Sequence, residues 1–544
     1  MKLLIIGGVA GGASCAARAR RLSEDAEIVL FERGPFVSFA NCGLPYFIGD
    51  LIESEEELLV ATPELFRQRF RIDVRPGHEV LAIDRGKSEI EVREISTGKL
   101  YREAYDALVL SPGAEPLRPS LPGMTLPGIF TLRTIPDGRQ IKEWMLEKHV
   151  REALIIGGGF IGLEMAENLF RRGVRVTILE AADQILPPFD REMTARMRAH
   201  LESRTMTLLL GDPVSEFEKN SEGRLLVSSK SGRKIETDMA ILSIGIRPEN
   251  RLAKQSGLEI GERGGIRVNE GMQTSDPKIW AVGDVAEKTD FVTKEPAMIP
   301  LAGPANRQGR TAADRIFGRS AKFRGAQGTA VCKALEMVCA ITGAGEKTLR
   351  RMNIPYEKAY IHANHHAGYY PDAKSMTLKL LFSPSDGQIL GAQATGEEGI
   401  EKRIDVIAMA LQKKATVYDL EEAELCYAPQ FGSAKDPVNI LGMVAANALR
   451  GDAPLSQWDH RDWEKDFLLD VRTAGEFEKK HAPKAVHIPL HQLRERISEL
   501  PRERDIHVYC GVGQRAHNAV RLLRLKGFRA FNLSGGIRTY LDSL

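Results

Sequence analysis

Paired cysteines are missing from this 544-residue chain. Its six cysteines (Cys15, Cys42, Cys332, Cys339, Cys426 and Cys510) are scattered, and none stands in a CxxC or CxxxxC pair. That excludes a local dithiol and a secreted disulfide scaffold. An excess of one charge is missing too: 75 Lys and Arg against 73 Asp and Glu leave a net +2, so nothing calls for a nucleic-acid partner. No uninterrupted apolar run reaches membrane-spanning length, and no membrane association is expected. The opening residues Lys2-Leu3-Leu4-Ile5-Ile6 run directly into glycines, as a buried strand does and a secretion signal does not. Around Tyr356 to Tyr370, His362, His365 and His366 lie among tyrosines, but no cysteine or carboxylate completes a recognisable ligand pattern, and no metal is expected. The expected setting is soluble and cytoplasmic, where reducing conditions favour catalytic or transient thiol chemistry.

What is present suits an α/β enzyme: 50 glycines and 43% hydrophobic residues, in a chain long enough for about three or four domains. The first region, 1–112, opens with a strand, Lys2 to Ile6, then Gly7-Gly8-Val9-Ala10-Gly11-Gly12, a helix, and a second strand ending at Glu32-Arg33. Gly7, Gly11 and Gly12 let the backbone approach a pyrophosphate, which the helix N-terminus stabilises, and Glu32 is placed to accept from a ribose. Val9 departs from the GxGxxG pattern. Arg18, Arg20 and Arg21 on that helix form either a solvated basic face or a phosphate contact near Cys42. Ser111-Pro112-Gly113 leaves the sheet for the next domain.

The second region, 113–245, repeats the pattern without exception. A strand leads into Gly157-Gly158-Gly159-Phe160-Ile161-Gly162, with Gly157, Gly159 and Gly162 in the motif positions and Glu180 closing the following strand. An acid at Glu180 accepts from a 2′-hydroxyl and repels a 2′-phosphate, favouring NADH over NADPH, although Arg171 and Arg172 nearby weaken that preference. Two nucleotide sites in one chain suggest a flavin in one, a nicotinamide in the other, and a hydride passing between them. In the return segment, 246–325, the strand Ile279 to Val282 aims Gly283-Asp284 at a ligand, with Asp284 suited to a ribityl hydroxyl. The helix opening near Gly303 follows.

Residues 326–450 read as an α+β dimerisation domain. Met376 to Phe382 and Ile389 to Ala394 suggest antiparallel strands, and Cys332 and Cys339 are expected as core residues on a helix. After a linker at Gly451-Asp452-Ala453-Pro454, the last module, 455–544, runs strand Ile506 to Tyr509 into Cys510-Gly511-Val512-Gly513-Gln514-Arg515 and a helix. A glycine loop that turns its N–H groups inward, beside Arg515, stabilises a thiolate or a persulfide anion. The Cys-x4-Arg spacing makes a smaller loop than the Cys-x5-Arg of protein phosphatases and suits sulfur better than phosphate.

Cys42 lies in Ser38-Phe39-Ala40-Asn41-Cys42-Gly43-Leu44-Pro45-Tyr46. It is either a buried packing cysteine or a redox thiol whose partner comes from another domain, another subunit or a small molecule. This stretch resembles the coenzyme A-disulfide reductase branch of the pyridine nucleotide–disulfide oxidoreductases. Residues from about 460 onward, with Asp470-Val471-Arg472 and Gly535-Gly536, resemble a rhodanese domain. The whole chain is similar to fusions of the two, some of which are NADH-dependent persulfide or polysulfide reductases. The resemblance implies two Rossmann-like dinucleotide-binding domains, a dimerisation domain and a terminal α/β rhodanese domain, with FAD, NADH (or NADPH) and coenzyme A as cofactors. It implies Cys42 as the redox-active cysteine and Arg18, Arg21, Ser38 and Asn41 as coenzyme A contacts. It also implies Cys510 as a persulfide carrier, and a homodimer in which Tyr360 and Tyr427 reach the other subunit's Cys42. The expected activity is reduction of coenzyme A persulfide or polysulfide with release of hydrosulfide. The alternatives are a coenzyme A-disulfide reductase with an accessory sulfurtransferase, an NADH oxidase or peroxidase, and a non-enzymatic redox sensor.

Overall fold

The computed structural model describes residues 1–460 and 466–544. The chain divides into two compact units, one of residues 1–183 with 206–327 and one of residues 184–205 with 328–544.

The first unit holds two parallel five-stranded sheets. One orders Ile279–Ala281, Ala107–Leu110, Lys2–Ile6, Glu27–Glu32 and Asp73–Pro76; the other orders Thr207–Leu210, Arg175–Glu180, Glu152–Ile156, Met239–Leu242 and Ile129–Thr131. Near-continuous Leu, Ile and Val runs make these strands, because both faces of a parallel sheet are covered; Leu3, Leu4, Ile5, Leu154 and Ile155 are all fully buried. Each sheet sends its first strand through a glycine turn into a helix, Ala10–Arg20 in one and Phe160–Arg171 in the other. Glycine is required at the turns: Gly7 and Gly157 have φ of +95° and +108°. A Cβ on Gly12 or Gly162 would come within 2.0 Å of the carbonyl of Gly7 or Gly157. The helix Ala302–Ile316 lies against Ala10–Arg20 so closely that a Cβ on Gly309 would meet the Gly11 carbonyl at 2.2 Å.

The second unit is built on an antiparallel sheet ordered Ala330–Ala334, Met337–Gly343, Ile389–Gly396, Ser375–Phe382 and Glu357–Asn364. A parallel sheet ordered Leu455–Ser456, Ala530–Leu533, Ile506–Tyr509, Phe467–Asp470 and Val486–His487 forms its terminal module. The helix Arg191–Ser203, which follows the second nucleotide motif in sequence, belongs to this unit. One expectation is corrected. Cys332 and Cys339 lie not on a helix but opposite each other on adjacent antiparallel strands. The inward–outward alternation of Val331 (exposed), Cys332 (buried), Lys333 (exposed) and Ala334 (buried) is the period of a strand, which a composition of small apolar residues conceals. Among the described residues no helix is long and apolar enough to cross a membrane.

Candidate functional site

The two glycine turns carry matching acids. Glu32 accepts the Gly8 N–H at 2.9 Å through one carboxylate oxygen and the Gly34 N–H at 2.8 Å through the other. Glu180 does the same with Gly158 at 2.6 Å and Ala182 at 2.7 Å. Each acid thus shapes its glycine loop while standing where a ribose hydroxyl is bound in this kind of fold. Arg33 is exposed near Glu79. A Cβ on Gly159 would meet nothing within 4 Å, an open approach of the kind a pyrophosphate needs. The arginines that precede the strand of Glu180 are engaged elsewhere, Arg171 by Glu167 at 2.9 Å and Arg172 by Asp50 at 2.5 Å.

The first dinucleotide cradle is completed by Ser111, Gly113 (φ +78°) and Gly283 (φ +81°). The Gly283 N–H is accepted by Gln308 at 2.8 Å, and the Gln308 amide nitrogen is buried with no partner among the described residues. Asp284 is half-buried with no hydrogen bond or ion pair among the described residues. Burial pushes its carboxyl up, against the charges of Lys288 and Arg133. An orphaned buried donor and an unmatched acid beside a glycine turn fit the hydroxyls and pyrophosphate of FAD.

Cys42 sits on a short 3-10 turn, Asn41–Gly43, leading into the helix Leu44–Ile48. It is exposed, so the packing reading fails. Its surroundings still desolvate it, and this, followed by the charges of Glu164 and Asp284, pushes its thiol up from the ordinary cysteine value. Glu164, on the helix after the second glycine turn, is itself pushed up to about 7 by burial and then by Glu167. The Cys42 helix is fixed to the second nucleotide domain: Arg172 donates to the Ile48 carbonyl at 3.2 Å, and Asp50 receives Lys142 at 2.7 Å. The only other cysteine of this unit, Cys15, is fully buried, with its thiol pushed up to about 12 by desolvation.

An open cavity of about 330 Å³ is lined by Ser14, Arg18, Arg21, Ser38, Phe66 and Arg310, among others. Ser38 holds φ +46°, a conformation that costs a non-glycine residue. It is kept there by donating its N–H to the Gly8 carbonyl at 2.7 Å and accepting from Val60 at 2.8 Å. Arg18 is engaged, its Nε and Nη2 both reaching Asp314, at 2.9 and 2.6 Å. Arg20 joins neither a solvated face nor a phosphate contact: it is buried and donates to the carbonyls of Phe70, Ser23, Glu24 and Arg71. Arg21 and Arg310 are exposed, with no ion-pair partner among the described residues. Asn41 is exposed next to Cys42, its Oδ1 3.8 Å from the Cys42 sulfur. No local sequence pattern marks Arg310; only the packing of two distant helices shows that it joins Arg21.

In the second unit, Tyr360 is not where its expected role requires. It is only 5% exposed and donates its hydroxyl to Glu192 at 2.7 Å, beside Lys379. Lys379 is fully buried and pairs with Asp190 at 2.7 Å, Glu192 at 2.5 Å and Glu346. A tyrosine inside this charge cluster cannot reach another subunit. The tyrosine that meets Tyr427 is Tyr369, 76% exposed, the two hydroxyls lying 2.8 Å apart. The Tyr369-Tyr370 doublet between Gly368 and Pro371 was the sequence signal for it.

Cys510 is 1% exposed, and its sulfur accepts the Gly513 N–H at 3.2 Å. Arg515 pairs with Glu476 through two bonds of 2.7 Å. Its guanidinium is held above its ordinary value by Glu476, against desolvation, with Cys510 adding to the effect. Glu476 in turn is brought down to about 2, chiefly by Arg515.

Residues 1–309 match the model of the pyridine nucleotide-disulphide oxidoreductases, 329–436 the dimerisation domain of that family, and 454–543 the rhodanese-like domain. The chain belongs to the pyridine nucleotide-disulphide oxidoreductase family. It is an FAD- and NAD(P)H-dependent oxidoreductase of disulfide and persulfide chemistry, carrying a terminal rhodanese-like domain. Among relatives, the coenzyme A disulfide reductase of Staphylococcus haemolyticus is 34% identical over 82% of this chain and 99% of its own length. The reduced CoADR-RHD of Bacillus anthracis superposes with a TM-score of 0.97 at 47% identity, covering 99% of this chain and 98% of that one. A NAD-dependent persulfide reductase from A. fulgidus gives 0.92 at 33% identity, covering 99% of this chain and all of that one.

Proposed function

We propose that the chain reduces coenzyme A disulfide with NAD(P)H through Cys42, and that Cys510 is an attached sulfane-sulfur carrier. The observation that carries this is the solitude of Cys42. It is exposed, it follows closely in the chain on Ser38, which lines the arginine-bearing cavity, and its unit offers no accessible second thiol. The relatives that reduce coenzyme A disulfide support a small thiol as its disulfide partner, and the unpaired Arg21 and Arg310, with Ser38, suit the phosphates of coenzyme A.

The Cys42 thiolate attacks one sulfur of coenzyme A disulfide. A Cys42–S–S–CoA bond forms, and one coenzyme A thiolate leaves with the electron pair. FAD, held by Gly7, Gly11, Gly12, Glu32, Ser111, Gly113, Gly283 and Asp284, supplies two-electron transfer from nicotinamide to this disulfide. The pair of electrons and one proton return Cys42 to its thiolate and release coenzyme A thiol. Gly157, Gly159, Gly162 and Glu180 hold the nicotinamide dinucleotide. Glu180 and the engaged Arg171 and Arg172 favour NADH. The setting that suits six unpaired cysteines is a reducing cytoplasm.

The family's dimerisation domain supports a homodimer. In our reading Tyr427 and Tyr369, rather than Tyr360, present their hydroxyls to Cys42 of the partner subunit.

Persulfide reduction is the second reading, favoured by the Cys510 loop. With coenzyme A persulfide the same Cys42 attack on the inner sulfur releases hydrosulfide and leaves the same mixed disulfide, so the two reactions differ only in the leaving group. NADH consumption on coenzyme A disulfide and on its persulfide, with hydrosulfide measured in parallel, ranks them. Parental rates on both substrates in Cys42→Ser would overturn the scheme.

A further inference from the structure

Resting on the reading of Cys510 as a sulfur carrier, we propose that the dimerisation sheet positions the Cys510 loop. The strand Glu357–Asn364 and its His362 act on it through the segment Ser534-Gly535-Gly536 and Thr539.

Glu357–Asn364 is the last strand of its sheet. An outermost strand leaves main-chain donors and acceptors open on one side, and the terminal module covers them. Gln457 donates its side-chain amide to the Lys358 carbonyl at 2.7 Å, and Ser534 Oγ accepts the Tyr360 N–H at 2.9 Å. His362 bridges further along, with Nδ1 2.9 Å from Thr377 Oγ1 and Nε2 2.9 Å from Thr539 Oγ1. Burial, then the charges of Arg538 and Arg196, hold His362 down at about 3, so it is a fixed neutral bridge throughout the physiological range. Arg538 adds a bond to Ser375 Oγ at 2.8 Å.

The other side of this segment is the floor of the Cys510 loop. The Ile537 N–H is accepted by the Cys510 carbonyl at 2.8 Å, and the Arg538 N–H by the Gly511 carbonyl at 3.2 Å. Only two glycines separate the strand from the loop. A Cβ on Gly535 (φ +70°) would lie 2.9 Å from Tyr360 Cβ and 1.9 Å from Thr539 Oγ1; one on Gly536 (φ +61°) would lie 2.5 Å from the Cys510 carbonyl and 2.9 Å from the Gly513 nitrogen. Gly513 is the residue whose N–H reaches the Cys510 sulfur. A shift of the strand is therefore passed through two incompressible residues to the donor that faces the sulfur. Tyr360, displaced from its expected place beside Cys42, finds a role here as a positioning residue, through its main chain and its Cβ.

The reaction served is transfer of sulfane sulfur to Cys510. With thiosulfate as probe, the S–S bond of thiosulfate breaks, a Cys510–S–S⁻ persulfide forms, and sulfite leaves with the electron pair. Cyanide then takes the outer sulfur as thiocyanate and restores the thiolate.

The test uses the full-length holoenzyme. Thr539→Val removes the hydroxyl that His362 Nε2 meets, with little change of shape, and Ser534→Ala removes the acceptor of the Tyr360 N–H. Each is expected to lower kcat for sulfite release about tenfold with KM for thiosulfate little changed, while NADH bleaches bound FAD at the parental rate. Thr539→Ser, which keeps the hydroxyl, is expected to restore kcat. Parental kcat in both variants would overturn the proposal, as would an equal loss of FAD bleaching or a failure of Thr539→Ser to rescue. Cys510→Ser is the control for the underlying reading. If it released sulfite at the parental rate, Cys510 would not be the carrier, whatever the Thr539 variants did.

Discussion

Cys42 stands exposed on a short turn of the first unit, whereas Cys510 lies 1% exposed behind a glycine loop of the second. The charges around them have opposite signs. Glu164 and Asp284 face the first and resist its ionisation; Arg515 and an inward N–H face the second. A thiol held up in pKa by desolvation and then by carboxylates, with no thiol neighbour in its unit, depends on bound cofactor and substrate to become reactive. The second sulfur receives the Gly513 N–H and lies beside Arg515, donors of the kind that suit a persulfide anion. One chain thus solves two sulfur problems by two routes, and each route has a separate point of failure.

The most severe break is removal of either sulfur. Cys42→Ser is expected to lower NAD(P)H-dependent reduction of coenzyme A disulfide by about a thousandfold or more and to leave sulfite release from thiosulfate intact; Cys510→Ser should do the reverse. Steady-state assays of both reactions on both variants test this, and a shared loss would mean that the sites are not separable.

Next in size is Lys379→Met, which strands the buried carboxylates of Asp190, Glu192 and Glu346. Breaking a buried ion cluster from one side costs about 3–5 kcal/mol. A thermal melt should show the unit bearing Cys510 unfolding earlier, with flavin release following the unchanged transition of the other. The same cluster gives an acid limit. Burial would raise the Glu346 carboxyl, but Lys379 and Lys358 bring it down to about 2. Its contribution is complete above the ordinary glutamate value and lost as pH falls toward 2.

A moderate effect is expected from Arg515→Ala. Sulfite release should fall by about one to two orders of magnitude, with FAD reduction unaffected. Glu476→Gln, which keeps Arg515 but weakens its anchor, should fall between the parent and Arg515→Ala.

The smallest effect concerns Glu164, protonated below about 7 and charged above it. Glu164→Gln removes the charge that resists Cys42 ionisation, so the pH midpoint of Cys42 alkylation should move down, while the midpoint measured for Cys510 stays put. An upward move would show that Glu164 does not act on Cys42 through its charge.

Local chemistry is what sequence patterns record, and the glycine turns illustrate it. Gly7, Gly157 and their acids Glu32 and Glu180 were readable because a tight strand-to-helix turn needs glycine at fixed spacing. Cys510 was readable for the same reason. The Cys332–Cys339 segment was not, because small apolar residues satisfy a helix core and a strand core equally well. Tyr360 and Tyr369 show a different limit. Both lie in one aromatic stretch, and nothing local distinguishes a hydroxyl sealed against Glu192 from one that meets Tyr427.

The sequence by itself determined two dinucleotide turns, a solitary cysteine after the first of them, and a second cysteine in a glycine loop, since each depends on neighbours a few residues away. Only the tertiary structure decided that Arg310 joins Arg21, that Arg18 is matched by Asp314, that Tyr369 rather than Tyr360 meets Tyr427, and that a sheet edge lies two glycines from Cys510. Those relations join residues far apart in the chain, and packing and charge pairing fix them only when the chain has folded.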